Sequence, residues 1–226
     1  MSKTADLVVN TMAVPVSGDW KGTGSEWYPN EDRISWGLLK LSTLTGYVLS
    51  MEHATYRFST EKAFAAIHWM VRQRTVDLHA ALKACYFADK SHINEHFQPI
   101  FGATYRAMKY GPVPLEIYEI MKGEGLWLWE VGGRPVPWVL EGKSLRCIAN
   151  DEPDMSLFAE SEMAHLRAGF DCSIAMNFTS RTAATHGHDW QAANGGIMRY
   201  EDMIEESPKR DAIIRTIRET ASHARL

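Results

Sequence analysis

The segment ATHGHDW at residues 184–190 concentrates the most reactive side-chain types of this chain. His186, His188 and Asp189 offer two imidazoles and a carboxylate, a donor set that suits zinc, nickel or iron. On that reading the chain would be a small metal-dependent enzyme. The three residues fall too close together to close a tetrahedral set, however, and no fourth ligand is placed beside them. The structural alternative has His188 and Asp189 capping or bridging a loop onto helices, with Trp190 packed inward. A second pair, His92 and His96, sits one helical turn apart. It lacks the Glu that follows the first His in HExxH metalloproteases. His68 and His79 are spread along predicted helices. Nucleophilic catalysis finds no pattern either. There is no GxSxG elbow, and Cys85, Cys147 and Cys172 fall among apolar neighbours, as small core residues do. GTGS at 22–25 lacks the Lys-Ser/Thr ending of a P-loop. These readings leave no catalytic residue, no closed metal set and no cofactor pattern.

Bulk properties narrow the class further. At 226 residues the chain makes one large domain, or a domain with an appendage, and can bury a core without staples. A formal charge of −4 gives no global field to recruit nucleic acid or anionic lipid, so nucleic acid is not expected as the main partner. Three widely spaced cysteines with no CxxC pair exclude a disulfide framework and fit a reducing cytoplasm. The most apolar stretch, 34–51, carries Lys40, Gly37 and Gly46 and is too polar to span a bilayer. We expect no membrane partner.

The elements that must position these residues follow from periodicity. Residues 1–33 show none and read as a loose lead-in, and Leu38, Leu41, Leu44, Val48 and Met51 allow a helix. Ser59 can cap a helix with Phe64, Ile67 and Val71 on one stripe, ending near Gln73. Asp77 can cap the next, with Leu78, Leu82, Cys85, Tyr86, Ile93 and Phe97 at helical intervals. The alternation over 98–111 suggests one or two short strands around Gly102. Leu115, Ile117, Tyr118 and Met121 then line a short helix stopped by Gly123 and Gly125. Residues 126–142 read as a hairpin with Gly132 and Gly133 at its turn and a second arm limited by Pro135 and Pro137. A longer helix after Asp154 carries Phe158, Met163, Leu166, Phe170 and Ile174. In the tail, Ser207 caps and Pro208 opens a helix with Ile213, Ile214 and Ile217 inward. Its cations Lys209, Arg210, Arg215 and Arg218 form a solvated face. The sum is a mainly α protein: a helical domain with a small β insertion.

The segment YGPVP at 110–114 is read as a corner that turns a strand into a helix over few residues. Gly111 permits the positive φ that its neighbours resist, and Pro112 biases Gly111 away from the helical region. Pro114 suits a helix start. Lys109 and Tyr110 would then project near a helix N-terminus, where a partner or an anion could touch them.

With its surroundings, YRAMKYGPVPLEIYEIMKG at 105–123 resembles the hallmark segment of the Panacea domain, the family of SocA-like antitoxins. The similarity begins at YRFSTEK, 56–62, and continues through the helix with Lys83, Tyr86, Ala88 and Asp89. It resumes at HGHDWQ, 186–191, and YEDMI, 200–204. It divides the chain into an N-terminal extension, 1–55, and a Panacea domain, 56–226. Residues before 56 do not belong to the pattern, so Met51 is an alternative start or the extension is a separate attachment. The resemblance implies an antitoxin that disarms a neighbour-encoded toxin by direct protein–protein binding. It also implies an adaptor that hands the toxin to the ATP-dependent ClpXP protease. No catalytic residue carries over. The motif residues Tyr105, Lys109, Tyr110, Gly111 and Pro112, with His188, Asp189 and Trp190, are family-signature candidates without an assigned role. Trp127 and Trp129, two apart on the expected strand, would face one side with Trp138 opposite. They either cover the small sheet or form an aromatic patch for the toxin.

Overall fold

The computed structural model describes residues 53–224 and Leu226, so the helix expected over 38–51 lies outside the described residues. Eight α-helices and two small antiparallel sheets are found among the described residues, as the mainly α reading expects. Helix α1 is Thr60–Gln73, β1 is Val76–Asp77 and α2 is Leu78–His96. Strands β2, Tyr105–Met108, and β3, Gly111–Pro114, lead into α3, Leu115–Met121, and α4, Gly125–Glu130. Then come β4, Trp138–Glu141, β5, Ser144–Cys147, and α5, Glu160–Ala175. The last helices are α6, Phe178–Ala184, α7, His188–Ala193, and α8, Arg210–Thr220.

The core sits between α1, α2 and α5. Phe64, Ile67, Met70 and Val71 of α1 are buried, as are Leu82, Cys85, Tyr86 and Ile93 of α2 and Leu166 and Phe170 of α5. Asp77 does cap α2, its carboxylate accepting from the Ala80 amide at 3.1 Å. Ser59 holds the N-cap position of α1 without a side-chain cap bond. Small residues set the α2–α5 spacing. A Cβ on Gly169 would fall 2.7 Å from the Ala84 carbonyl oxygen and 2.8 Å from the Ala88 amide, so the two backbones pass almost in contact. Ser173 adds a bond across the same seam, donating to Ala80 O at 2.7 Å.

Several expectations need correction. Residues 126–142 are not a hairpin. GLWLWE forms α4, and Gly132 and Gly133 end that helix at φ 77° and 65°. The Gly133 amide bonds Leu128 O at 2.8 Å and the Gly132 amide bonds Trp129 O at 3.1 Å, the paired closure of a Schellman stop. The hairpin of this region lies later, β4 with β5 around Gly142, and β1 extends it in the order β1-β5-β4. The strands expected around Gly102 begin three residues after it. Segment YGPVP does not pass directly from strand to helix. Gly111–Pro114 is itself a strand, and the turn at Lys109 and Tyr110 folds it back on β2. Pro114 is the N-cap of α3 instead of its first residue. Helix α8 starts at Arg210, two residues later than the Pro208 start; Ile213 and Ile217 are buried and Ile214 is half-buried. Of the three cysteines only Cys85 is a core residue; Cys147 is half-buried and Cys172 is exposed on α5.

Candidate functional site

The β2–β3 corner is fastened from beneath by one face of α2. His79 and Lys83 lie one turn apart on that face, and Asp89 lies further along the same helix. Lys83 Nζ donates to Pro112 O at 2.5 Å, and His79 Nε2 lies 3.1 Å from Tyr110 O. Asp89 accepts from the Ile100 and Phe101 amides at 2.7 and 3.1 Å and from the Tyr105 hydroxyl at 3.0 Å. From the opposite side, the Trp190 indole N–H donates to Met108 O at 2.9 Å. Gly111, at φ 97°, has no room for a side chain. A Cβ there would sit 2.3 Å from Thr185 Oγ1 and 3.1 Å from Lys83 Cε. The corner therefore demands glycine on two counts, its backbone conformation and this close approach.

Burial sets the protonation of the groups beneath. Desolvation, with Arg181 as a lesser contributor, holds the Lys83 amine well below the usual lysine range. Burial, with Lys83 as a lesser contributor, lowers His79 to about 4. Burial raises Asp89 to about 7 against the opposing hydrogen bonds from Ile100, Phe101 and Tyr105. Such perturbed groups mark active sites when they line a cleft. Here Lys83 is 1% exposed and Asp89 fully buried, and both are bonded to the backbone or side chains of the corner. Their arrangement holds the corner in place.

The expected signature residues separate accordingly. Tyr105, Gly111 and Pro112 are buried in the corner. Lys109 is exposed at its tip with its ammonium 5.2 Å from the Tyr110 ring centroid, and Tyr110 packs edge-on against Phe178 at 5.3 Å. The whole length of β3 separates these two from the start of α3, and Tyr110 instead meets His79 and Phe178 at the starts of α2 and α6. Asp189 is buried, bonded to the Tyr86 hydroxyl and, at 3.2 Å, to Lys90 Nζ. His186 stacks flat on Trp190 with ring centroids 3.8 Å apart, while His188 is exposed at the start of α7. The trio His186, His188 and Asp189 thus brings no three ligand atoms together. Among the described residues, that convergence occurs at Glu95, His96 and His165.

Helix α4 presents a different surface. The Trp127 indole donates to Glu119 at 2.5 Å and its ring meets Phe58 edge-on at 5.1 Å. Glu130 at the other end is bonded by the Thr60 hydroxyl. With both ends held, Leu126 and Trp129 point outward, 74% and 82% exposed, and their spacing of three puts them on one helix face. The expected pairing of Trp127 with Trp129 on one strand face fails because the segment is helical, and Trp138 is a core residue whose indole donates to Met121 O at 3.1 Å. The exposed partner of Trp129 is Leu126, which the sequence reading passed over. A 3.6-residue period pairs the two, but GLWLWE is too short for that period to announce itself.

No helix among the described residues is long and apolar enough to cross a membrane. No curated protein and no solved structure matches the chain. The stretch that contains Lys83, Asp89, the whole corner and the first four residues of α4, residues 82–128, matches the family described as Antitoxin SocA-like, Panacea domain.

Proposed function

We propose that this chain is an antitoxin that neutralises a neighbour-encoded protein toxin by gripping it directly, without catalysis. The observation that carries the reading is the match of residues 82–128 to the SocA-like antitoxin family. The surface chemistry supports it. Leu126 and Trp129 expose a large aliphatic and a large aromatic side chain side by side on a helix tethered at both ends. Aromatic anchors on a rigid support are what interface hot spots are made of. The domain that does this spans residues 56–226, with 1–55 as an N-terminal extension, and it acts in the cytoplasm. Delivery of the captured toxin to the ClpXP protease is the second half of the proposal.

The test is co-expression with the adjacent open reading frame. The neighbour is expected to arrest growth alone and to be harmless beside this chain. A neighbour that is harmless alone, or toxic in spite of this chain, overturns the reading. Repeating the rescue in cells without ClpXP separates the two halves. Rescue that persists removes the adaptor role and leaves neutralisation by binding.

A further inference from the structure

The end of α2 and the beginning of α5 lie side by side, and three imidazoles meet a carboxylate there. His92 and His96 come from α2 and His165 from α5. Their ring centroids are 4.5 Å apart for His92 and His96, 5.2 Å for His92 and His165, and 5.4 Å for His96 and His165. Glu95 reaches between them. Its Oε2 lies 3.3 Å from His165 Nε2 and its Oε1 3.9 Å from His96 Nε2. One ligand atom from each of Glu95, His96 and His165 falls within 4.8 Å of the others.

We propose that Glu95, His96 and His165 form a binding site for one divalent first-row transition ion of the zinc class, with water completing the coordination. Ligands about 2.0–2.2 Å from a tetrahedral ion stand a little over 3 Å from one another, so the present separations need only side-chain adjustment to close on it. Two nitrogens and one carboxylate oxygen select zinc, nickel or copper over calcium or magnesium.

The surroundings prepare the imidazoles. Ser91 Oγ lies 3.1 Å from Ala88 O and 2.8 Å from His165 Nδ1. A hydroxyl that gives its single proton to Ala88 O accepts from His165 Nδ1–H, which leaves the Nε2 lone pair facing Glu95. This is the outer-shell bond that orients most metal-bound histidines. His92 gives its Nδ1–H to Gln98 O at 2.7 Å. Access is open, because Glu95, His96 and His165 line a surface cleft of about 550 Å³ together with Glu160 and Ser161. The sequence offered only His92 and His96. Glu95 sits immediately before the second histidine, and His165 joins them through the fold.

An ion held here would tie α2 to α5 across the core seam that Gly169 and Ser173 close. The tag-free full chain, stripped with chelator, is dialysed against zinc and, separately, cobalt(II). The expected result is one equivalent of zinc retained per chain, visible absorption from bound cobalt, and a rise in Tm. His165→Ala and Glu95→Gln are each expected to weaken zinc binding at least about tenfold. The exposed Glu95 side chain makes the second variant safe for folding, and far-UV circular dichroism checks the first. His188→Ala should leave binding unchanged. Absence of stoichiometric zinc in the folded wild-type chain, or binding that survives both Glu95→Gln and His165→Ala, overturns the proposal. Loss of binding in His188→Ala overturns it as well.

Discussion

The β2–β3 corner and helix α4 stand side by side in sequence and are built on opposite plans. In the corner, Lys83, Asp89, Tyr105 and Trp190 spend their polar atoms on the protein itself, and Gly111 leaves no gap. In α4, polar side chains are used only to moor the ends, at Glu119 and Glu130, while Leu126 and Trp129 face solvent. The residues that make the chain recognisable are thus its fastenings. The exposed residues of α4, Leu126 and Trp129, are ones that contribute little to holding the fold. A fold built this way tolerates change on the exposed face without loosening the corner.

Substitution can break this contrast at either end. The largest effect is expected from Gly111→Ala, where a positive φ and a collision with Thr185 coincide. About 3 kcal/mol or more of stability should be lost, measured by urea unfolding. A loss below about 1 kcal/mol would mean that the corner yields easily. Next, Tyr105→Phe removes the hydroxyl that bonds Asp89 and Cys85 O and should cost about 1–3 kcal/mol.

A pH series sharpens the comparison. Asp89 has its pKa raised from 3.8 to about 7 by burial, so the folded state holds the proton more tightly than the unfolded chain does. Its contribution is fully present below pH 3.8 and is lost as pH rises through about 7. Asp89→Asn should therefore gain stability relative to the wild type across that window, and parallel pH profiles would show that Asp89 titrates normally. The smallest effect on stability belongs to Trp129→Ala, expected within about 0.5 kcal/mol of the wild type. The same substitution should weaken toxin binding by about 2 kcal/mol in a pull-down or titration, if α4 is the gripping face. Equal losses of stability and binding would erase the distinction between the two regions.

Legibility from sequence divides along similar lines. Helices α1 and α2 could be read because their apolar period is long and Asp77 announces a start. Gly125, expected to help stop α3, instead opens α4, whereas Gly123 ends α3 as expected. Gly132 and Gly133 do the same work, but two glycines beside alternating Trp and Leu imitate a hairpin turn. Six residues are too few for periodicity to decide, and the contacts of Trp127 with Glu119 and Phe58 settle the helix. The metal-like spacing at 186–189 misled because Asp189 pairs with Tyr86 and Lys90, about a hundred positions upstream. His165 escaped notice for the converse reason: nothing local to it signals that α5 will lie against the end of α2.

The buried amine of Lys83 makes a built-in reporter. A lysine amine with a depressed pKa acylates readily once reached, yet this one, 1% exposed, is shut away from any reagent in the intact chain. Mild acetylation should mark exposed lysines such as Lys109 and Lys122 within seconds and spare Lys83 until the hairpin lifts from α2. Its labelling rate, followed by mass spectrometry of the peptide, would time that opening directly.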